Sequence, residues 1–302
     1  MKTKSILKLL IVLVFIIFST EGKSQIQIVS GMEGGTYNQL THDIQNIIEL
    51  PIDIFTSEGA LDNYQQLMEE NGINITFLQY DVLLAEELIN PRVKDRIRVL
   101  LPLFLDEEIH LIAKNDDKIN SLNDLEMKKV GVGAITQGTK VTAQTIKNRT
   151  GINWEDVEIS SNESIESLMN GDIDAFFYVG GAPISFLQTI SDIGLDKIKL
   201  VSIKHKKLND IYTKAKITSG TYTWAKYDVF TYAVPTLMVI NISEISDDFK
   251  QDVERLYFGI KNNVNKLQTE GHPKWKDVYY ENTTINWPYY YIPEKKKTES
   301  GK

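Results

Sequence analysis

The chain turns at Ser30-Gly31-Met32-Glu33-Gly34-Gly35-Thr36-Tyr37, a glycine-rich stretch between a short apolar strand (residues 26–29) and a helix predicted over about 38–48. A strand that leads through such a turn into a helix leaves backbone N–H groups unpaired at the helix start, where a carboxylate can bind. Gly34 and Gly35 would also let a ligand approach the main chain closely. The same pattern occurs in plain turns that need glycine only for their geometry, so this stretch alone leaves both interpretations open.

The rest of the chain repeats the alternation of strand and helix. The 302 residues are 42% hydrophobic and 25% charged, which is typical of a globular protein of about two domains. Strands at 52–55 and 73–78 alternate with helices at 61–70 and 82–89. Asp81 is the predicted N-cap of the helix at 82–89. A second unit of this kind begins near residue 128. The fold class is therefore predicted to be α/β, with parallel strands covered by helices.

The first residues have the pattern of a secretory signal peptide. Three lysines precede an unbroken apolar run of ten residues (9–18), and the small residues Gly22 and Ser24 mark a cleavage site. Ten to twelve apolar residues are too few to span a bilayer comfortably, which disfavours an uncleaved anchor. Residues 1–24 are therefore predicted to be removed on export to the periplasm. The chain has no cysteine, which excludes a lipoprotein, a disulfide and a thiolate metal site.

Several classes of function are disfavoured by the residues that are absent. A formal charge of −8 makes the chain a poor nucleic-acid binder. The four histidines are scattered, and neither a serine-hydrolase elbow nor a phosphate-binding loop is present, so no catalytic residue, metal ligand or cofactor is assigned. The acidic pairs Asp116-Asp117 and Glu107-Glu108 are interpreted as solvated surface. The chain is not expected to be an enzyme.

Polar residues at predicted strand ends remain as the candidate site. They offer backbone amides, hydroxyls and aromatic rings but no nucleophile paired with a base, which suits reversible binding in a cleft between two lobes. No arginine falls in these loops, so Lys140 is the one nearby cation expected to help hold a carboxylate. The candidate ligand-binding residues are Gly35, Thr36, Tyr37, Ser57, Gly59, Gln79, Tyr80, Thr136, Gln137, Gly138, Thr139, Gly180, Gly181, Ala182 and Pro183.

In their order along the chain, these segments resemble the TAXI family of solute-binding proteins, which serve TRAP-type secondary transporters. The resemblance covers about residues 26–240 and departs from the family pattern at Ala60, at Thr136-Gln137 and in the C-terminal region around Trp287. The matching segments are Gly34-Gly35-Thr36-Tyr37, residues 56–63, Phe77-Leu78-Gln79-Tyr80-Asp81, residues 122–133 and residues 171–183.

The resemblance implies a type II periplasmic-binding-protein-like fold, in which two α/β lobes are joined by two hinge strands with a ligand cleft between them. The crossings are expected near residues 109–114 and 231–239. Lobe 1 would comprise 25–112 and 234–293, lobe 2 would comprise 113–233, and the charged residues 294–302 would be a disordered tail. The resemblance also adds Asn63 to the candidate ligand-binding residues.

The predicted function is that of a periplasmic receptor that captures a small organic anion and delivers it to a TRAP-type permease. By the same resemblance, the anion would be a glutamate-like amino acid or a dicarboxylate. The alternative is a periplasmic interaction or sensory protein that keeps the binding fold without a transport role. In that case the aromatic C-terminal segment would be a contact surface, whereas in a receptor its rings would pack over a lobe.

Overall fold

The computed structural model describes residues 26–69, 72–103, 107–116, 118–190, 196–278 and 285–293. The predicted signal peptide (1–24) and the predicted tail (294–302) lie outside the described residues. The strands are β1 (Ile26–Val29), β2 (Ile52–Phe55), β3 (Ile75–Gln79), β4 (Ile97–Pro102), β5 (Glu107–Lys114), β6 (Lys129–Gly131), β7 (Glu155–Val157), β8 (Ala175–Gly180), β9 (Ile198–Leu200), β10 (Thr213–Ile217), β11 (Val229–Val234) and β12 (Thr236–Asn241).

The helices alternate with these strands, and short 3₁₀ turns complete the connections. The α-helices are α1 (Thr36–Ile48), α2 (Ala60–Met68), α3 (Tyr80–Ile89), α4 (Val93–Arg96), α5 (Gly138–Thr150), α6 (Ser161–Asn170), α7 (Ser185–Gln188), α8 (Asp247–Asn262) and α9 (Val264–Glu270). The 3₁₀ turns are Leu122–Leu125, Lys206–Leu208 and Pro273–Asp277.

Lobe 1 is built on a five-stranded sheet of order β2-β1-β3-β12-β4. β1, β2 and β3 are parallel, and β12 runs antiparallel to β3 and β4. All five residues of β3 are buried because helices cover both faces of the sheet. Ile44 and Leu256 contribute to the core on one face, and Leu67 and Val82 contribute to the core on the other.

Lobe 2 is built on a seven-stranded sheet of order β10-β11-β5-β8-β6-β7, with β9 paired to the end of β5. β6, β7 and β8 are parallel, whereas β5 runs antiparallel to β8 and β11. Phe177 and Trp154 pack together on one face, and Phe176 and Trp224 belong to the core on the other. The predicted arrangement of two α/β lobes is therefore confirmed.

Among the residues that the structure describes, two connections link the lobes. The first crossing lies between Pro102, where β4 ends, and Glu107, where β5 begins, so the expected position at 109–114 is wrong. Residues 107–112, which the prediction placed in lobe 1, pair with β8 and β11 of lobe 2. The prediction failed because β4 and β5 are both largely apolar strands, and the sequence pattern does not show which lobe each of them joins.

The second crossing lies at Pro235, between β11 and β12, within the expected range of 231–239. Proline has no N–H to donate to a sheet, which suits the point where one strand leaves lobe 2 and the next joins lobe 1. The carbonyl oxygen of Pro235 accepts a 2.9 Å hydrogen bond from the N–H of Tyr80. Val234, predicted as the first residue of the return to lobe 1, is instead the last residue of β11.

The aromatic C-terminal segment packs on lobe 1. Trp275 is fully buried, and its indole N–H donates a 2.8 Å hydrogen bond to the Asp43 carboxylate on α1. Trp287 is also buried, and its indole N–H donates a 3.1 Å hydrogen bond to the carbonyl oxygen of Ile97. Both rings therefore contribute to the core, and the exposed ring of Tyr291 does not.

Candidate ligand-binding cleft

A cavity of about 110 Å³ lies between the two lobes, at the edge where the predicted strand ends meet. Lobe 1 contributes the turns after β1, β2 and β3, and lobe 2 contributes the turn before α5 and the end of β8. The lining residues are Ser30, Gly31, Met32, Gly35, Thr36, Tyr37, Glu58, Gly59, Ala60, Gln79, Glu107, Gln137, Gly138, Thr139, Ser161, Tyr178, Val179 and Gly180.

The turn after β1 is held in place by its own side chains. Gly34 has a φ of 71°, a left-handed conformation that favours glycine. Its N–H donates a 3.1 Å hydrogen bond to Asn38 Oδ1, while Asn38 Nδ2 donates to Ser30 Oγ at 3.0 Å. No side chain caps α1, so the N–H groups of its first turn, including those of Thr36 and Tyr37, remain free of intrahelical partners at the cavity wall.

The turn before α5 forms the facing wall in lobe 2. Gln137 Oε1 accepts a 3.0 Å hydrogen bond from the N–H of Ala134, which fixes the turn. A Cβ at Gly138 would lie 1.9 Å from Gln79 Oε1, so only glycine allows the two lobes to approach this closely. α5 also lacks a side-chain N-cap, and its first turn therefore presents a second set of N–H groups to the cavity.

Glu107 is the main addition that the structure makes to the predicted site. Its side chain is buried, and the Gln79 Nε2 amide donates a short hydrogen bond to its carboxylate. Burial raises the pKa of Glu107 to about 7, a shift that Gln79 and the ammonium of Lys274 oppose. The interpretation of Glu107-Glu108 as solvated surface is therefore wrong, because strand alternation sends the two neighbouring side chains to opposite faces.

Glu108 on the other face binds the segment that follows β8. Its carboxylate accepts a 2.7 Å hydrogen bond from the N–H of Ala182 and lies 3.4 Å from Lys274 Nζ. A Cβ at Gly181 would meet the Lys274 side chain at 2.3 Å. Gly181, Ala182 and the exposed Pro183 therefore support this contact and do not line the cavity, contrary to prediction.

Two buried polar atoms at the cavity have no hydrogen-bond partner among the described residues. They are the hydroxyl of Tyr37 and Oε1 of Gln79. The Tyr37 ring stacks on Phe77, with 5.3 Å between ring centroids. Burial and the nearby charge of Glu107 hold the pKa of Tyr37 well above its usual value. Buried polar groups are nearly always paired, so these two atoms are available to a ligand.

Four other predicted residues have structural positions outside the cavity. Ser57 Oγ donates to Asn63 Oδ1 at 2.5 Å, and Asn63 Nδ2 donates to the carbonyl oxygen of Phe77 at 2.9 Å, so this pair ties α2 to β3. Tyr80 packs against the core that contains Trp287. The carbonyl oxygen of Thr136 accepts a 3.2 Å hydrogen bond from the N–H of Asp62 across the lobes.

The structure therefore brings nine of the predicted residues to the cavity and leaves seven outside it. Those at the cavity are Gly35, Thr36, Tyr37, Gly59, Gln79, Gln137, Gly138, Thr139 and Gly180. Those outside are Ser57, Asn63, Tyr80, Thr136, Gly181, Ala182 and Pro183. Besides Glu107, sequence reasoning missed Tyr178, whose pKa burial raises to about 12. Tyr178 lies within the apolar strand β8, in which the first glycine is Gly180 at its end.

The charge of the cavity is negative. Glu58 and Glu107 line it, and the described residues that line it include no lysine or arginine. The expected role of Lys140 is wrong, because its ammonium group pairs with Glu158 at 2.6 Å. A carboxylate in this cavity would therefore depend on backbone N–H groups and hydroxyls.

Asp81 joins the lobes behind the cavity. Gln79 occupies the N-cap position of α3, so the prediction of Asp81 as the N-cap is wrong. The Asp81 carboxylate instead accepts hydrogen bonds from Thr142 Oγ1 at 2.7 Å and from the Tyr212 hydroxyl at 2.8 Å, both in lobe 2. Burial raises the pKa of Asp81 to about 6.

The described part of the chain offers neither a cluster of metal ligands nor a membrane-spanning helix. No three His, Asp or Glu side chains there are grouped so that they could hold a metal ion. In the same residues, no helix has the length and apolar content required to cross a bilayer.

Several solved structures share the fold of this chain. A substrate-binding protein of an amino acid ABC transporter matches with a TM-score of 0.51 and 11% identity, over 83% of this chain and 95% of that one. A putative L-cystine ABC transporter protein from Listeria monocytogenes gives 0.52 and 13%, over 84% and 99%. An ancestral arginine-binding protein bound to arginine gives 0.52 and 12%, over 86% and 99%.

These likenesses identify the architecture as the predicted type II periplasmic-binding-protein-like fold. The family is shown by the sequence. One family model matches residues 28–286, a range that includes both lobes and the connections between them. The chain belongs to the NMT1-like family.

Proposed function

We propose that this protein is a periplasmic solute-binding receptor that holds a small organic acid in the interlobe cleft. The observation that carries the proposal is the pair of uncapped helix starts, at Thr36 in lobe 1 and Gly138 in lobe 2, on opposite walls of one cavity. Each wall offers backbone N–H groups at the positive end of a helix, and together they suit a carboxylate.

Glu107 favours an amino acid over a dicarboxylate as the bound acid. A second carboxylate placed beside the buried Glu107 side chain would add a like charge where solvent screening is weak. A protonated amine would instead find three acceptors there, namely the Glu107 carboxylate, Gln79 Oε1 and the Tyr37 hydroxyl oxygen. Of the two predicted ligand classes, the glutamate-like amino acid therefore agrees better with the cavity.

The cellular role proposed for the receptor follows from its fold and its leader. The N-terminal residues have the pattern of an export signal, and the neighbours of known fold include proteins of amino acid transporters. We infer delivery of the solute to a membrane transporter, of the TRAP type by the resemblance of the binding segments. Closure of two lobes around a solute is the conformational change that such delivery requires.

The test is a thermal-shift and calorimetric screen of the purified chain without residues 1–24, against L-amino acids and against C4 and C5 dicarboxylates. An amino acid present at about 100 times its Kd should stabilise the fold by ~2.7 kcal/mol, which raises the Tm by about 5–10 °C. No response to any of these solutes, or tighter binding of a dicarboxylate than of every amino acid, would contradict the proposal.

A matched pair of variants assigns the binding to the cleft. Glu107→Gln removes the negative charge beside the presumed amine and should weaken amino acid binding by about tenfold or more. Glu33→Gln removes the same charge from an exposed position outside the lining residues and should leave the Kd unchanged. A receptor that binds an amino acid but supports no uptake in cells would favour the sensory alternative.

A further inference from the structure

A second, larger cavity lies in lobe 2, away from the interlobe cleft. Its volume is about 490 Å³, which is within the ~300–1,000 Å³ typical of sites for small molecules. One side is formed by β10 and β11, and the other is formed by the chain from Ile203 to Asn209. The lining residues are Ile203, Lys204, His205, Lys206, Asn209, Lys214, Ala215, Phe230, Thr231 and Tyr232.

This cavity is basic in a chain that is acidic as a whole. Lys204, Lys206 and Lys214 line it, and its described lining includes no aspartate or glutamate. None of these three lysines pairs with a carboxylate of the described residues, whereas the neighbouring Lys216 pairs with Asp228 at 3.0 Å. With a formal charge of −8 over the chain, a local group of unpaired cations concentrates anions that the rest of the surface repels.

The floor of the cavity is held by the hydrogen bonds of one tyrosine. Tyr232 is buried, and its hydroxyl donates to the carbonyl oxygen of His205 at 2.8 Å and lies 3.0 Å from Asn209 Oδ1. These contacts tie the lysine-bearing chain to β11. Lys214 and Tyr232 face each other in the register of β10 and β11, so the ammonium group extends from the same strand face as the tyrosine.

An aromatic surface lies beside the cations. Phe230 is 52% exposed, and the ammonium group of Lys204 lies 4.7 Å from its ring centroid. His205 adds a buried Nδ1 atom without a hydrogen-bond partner among the described residues. The cavity therefore offers a ligand three kinds of contact: three cations, an exposed ring and an unpaired buried nitrogen. A solvated group of lysines would offer only the first.

We propose that this cavity, defined by Lys204, Lys206, Lys214 and Phe230, is a second ligand site that binds a small soluble molecule bearing phosphate groups. Lysine binds phosphate as a compact point charge, and three lysines match the multiple negative charges of a phosphate group better than the single charge of one carboxylate. The site is independent of the function proposed for the cleft, since the two cavities share no residue.

The experiment is calorimetric titration of the chain without residues 1–24 with pyrophosphate in 150 mM NaCl. The double variant Lys204→Gln/Lys214→Gln should weaken pyrophosphate binding by at least tenfold. The matched control Lys226→Gln/Lys250→Gln removes two lysines that pair with Asp196 and Asp247, and should leave the Kd within about twofold. All four side chains are exposed, so neither variant threatens the fold.

Three outcomes would overturn the proposal. They are the absence of pyrophosphate binding at millimolar concentration, an equal loss of affinity in the two double variants, and full competition by a solute that binds the cleft. A second experiment with phospholipid vesicles distinguishes a soluble phosphate compound from the phosphate of a lipid headgroup. Lysine-dependent sedimentation with phosphatidylglycerol vesicles, without binding of soluble pyrophosphate, would mean a surface for lipid and would also contradict the proposal.

Discussion

At the scale of single residues, Glu107 is the buried carboxylate that lines the cleft. It begins the first strand of lobe 2, immediately after the first crossing, and it hydrogen-bonds to Gln79 of lobe 1. Its carboxylate therefore lies where the two lobes meet at the cavity. A carboxyl group whose pKa burial raises to about 7 changes protonation near neutral pH, so its state also affects the stability of the fold.

The change Glu107→Gln should reduce the loss of stability between pH 4.5 and pH 7. The folded-state pKa is raised to about 7 from the ordinary 4.5, so the folded protein holds a proton that the unfolded chain loses, and stability falls as the pH rises through this interval. The expected penalty at pH 8 is on the order of 3 kcal/mol, and glutamine at this position removes it.

Urea unfolding of the wild type, Glu107→Gln and the exposed control Glu33→Gln at pH 4.5, 6 and 8 measures this effect. Glu107→Gln should be more stable than the wild type at pH 8, and the difference should shrink toward pH 4.5. Parallel pH profiles for the wild type and Glu107→Gln would show that Glu107 does not titrate in this interval.

Sequence reasoning identified the glycine-rich wall of the cleft because its geometry is local. Gly34, Gly35 and Thr36 follow a strand and precede a helix, and this order of residues by itself predicts a turn at the start of a helix. Glu107 and Tyr178 belong to strands whose partners lie far away in the chain. Their burial depends on the contact between the two lobes, and that contact cannot be predicted from the residues next to them in the sequence.

At the scale of elements, α3 of lobe 1 is joined to α5 of lobe 2 by one buried carboxylate. Asp81 lies in the first turn of α3, and Thr142 lies on the face of α5 that packs against it. The sequence predicted both helices, but it assigned Asp81 to capping, the usual role of aspartate at a helix start. Contact between the lobes determines its role instead.

The double change Thr142→Val/Tyr212→Phe should destabilise the protein by about 3 kcal/mol or more at pH 7.5. It leaves the Asp81 carboxylate buried without its two hydroxyl donors, and an unpaired buried charge is costly. The pKa of Asp81 is already raised to about 6 by burial, and loss of the donors should raise it further. Urea denaturation at pH 7.5 measures the cost.

Two controls test whether the cost arises from Asp81. Thr150→Val removes a hydroxyl from the same helix, one that bonds only to main-chain carbonyls within the helix and to the N–H of Ile152. Its cost should stay below about 1.5 kcal/mol. In an Asp81→Asn background, the double change should lose most of its effect because no buried charge remains. An undiminished cost in that background would assign the effect to packing alone.

At the scale of the whole molecule, lobe 1 depends on pieces from both ends of the chain. β12 and the residues around Trp287 both flank β4, and this arrangement follows from two crossings that bring the chain back to where it began. The N–H of Val99 donates to the carbonyl oxygen of Pro288, and the N–H of Tyr290 donates to the carbonyl oxygen of Val99. The C-terminal segment thus covers an edge strand that would otherwise be open.

Two similar α/β halves were predictable from the sequence, the return of the chain to lobe 1 was implied by the resemblance to the TAXI family, and the position of the first crossing was not predicted correctly. An alternation of strands and helices indicates the class of fold because each strand and helix is a local feature of the sequence. The predicted and observed bounds of β2, for example, coincide at Ile52–Phe55. Assignment of β5 to a lobe depends on its pairing with β8, more than sixty residues later in the chain. Hydrophobic periodicity contains no information about that pairing.

The change Trp287→Ala should destabilise the whole protein by about 3–5 kcal/mol, because it removes a large buried side chain and leaves a cavity beside β4. The indole hydrogen bond to Ile97 is lost as well. Tyr291→Ala, at a position 81% exposed, is the matched control and should change stability by less than about 0.5 kcal/mol. Equal effects of the two variants in chemical denaturation would mean that the C-terminal segment does not stabilise lobe 1. A large effect of Trp287→Ala alone, with a single unfolding transition, would show that this segment and both lobes unfold as one unit.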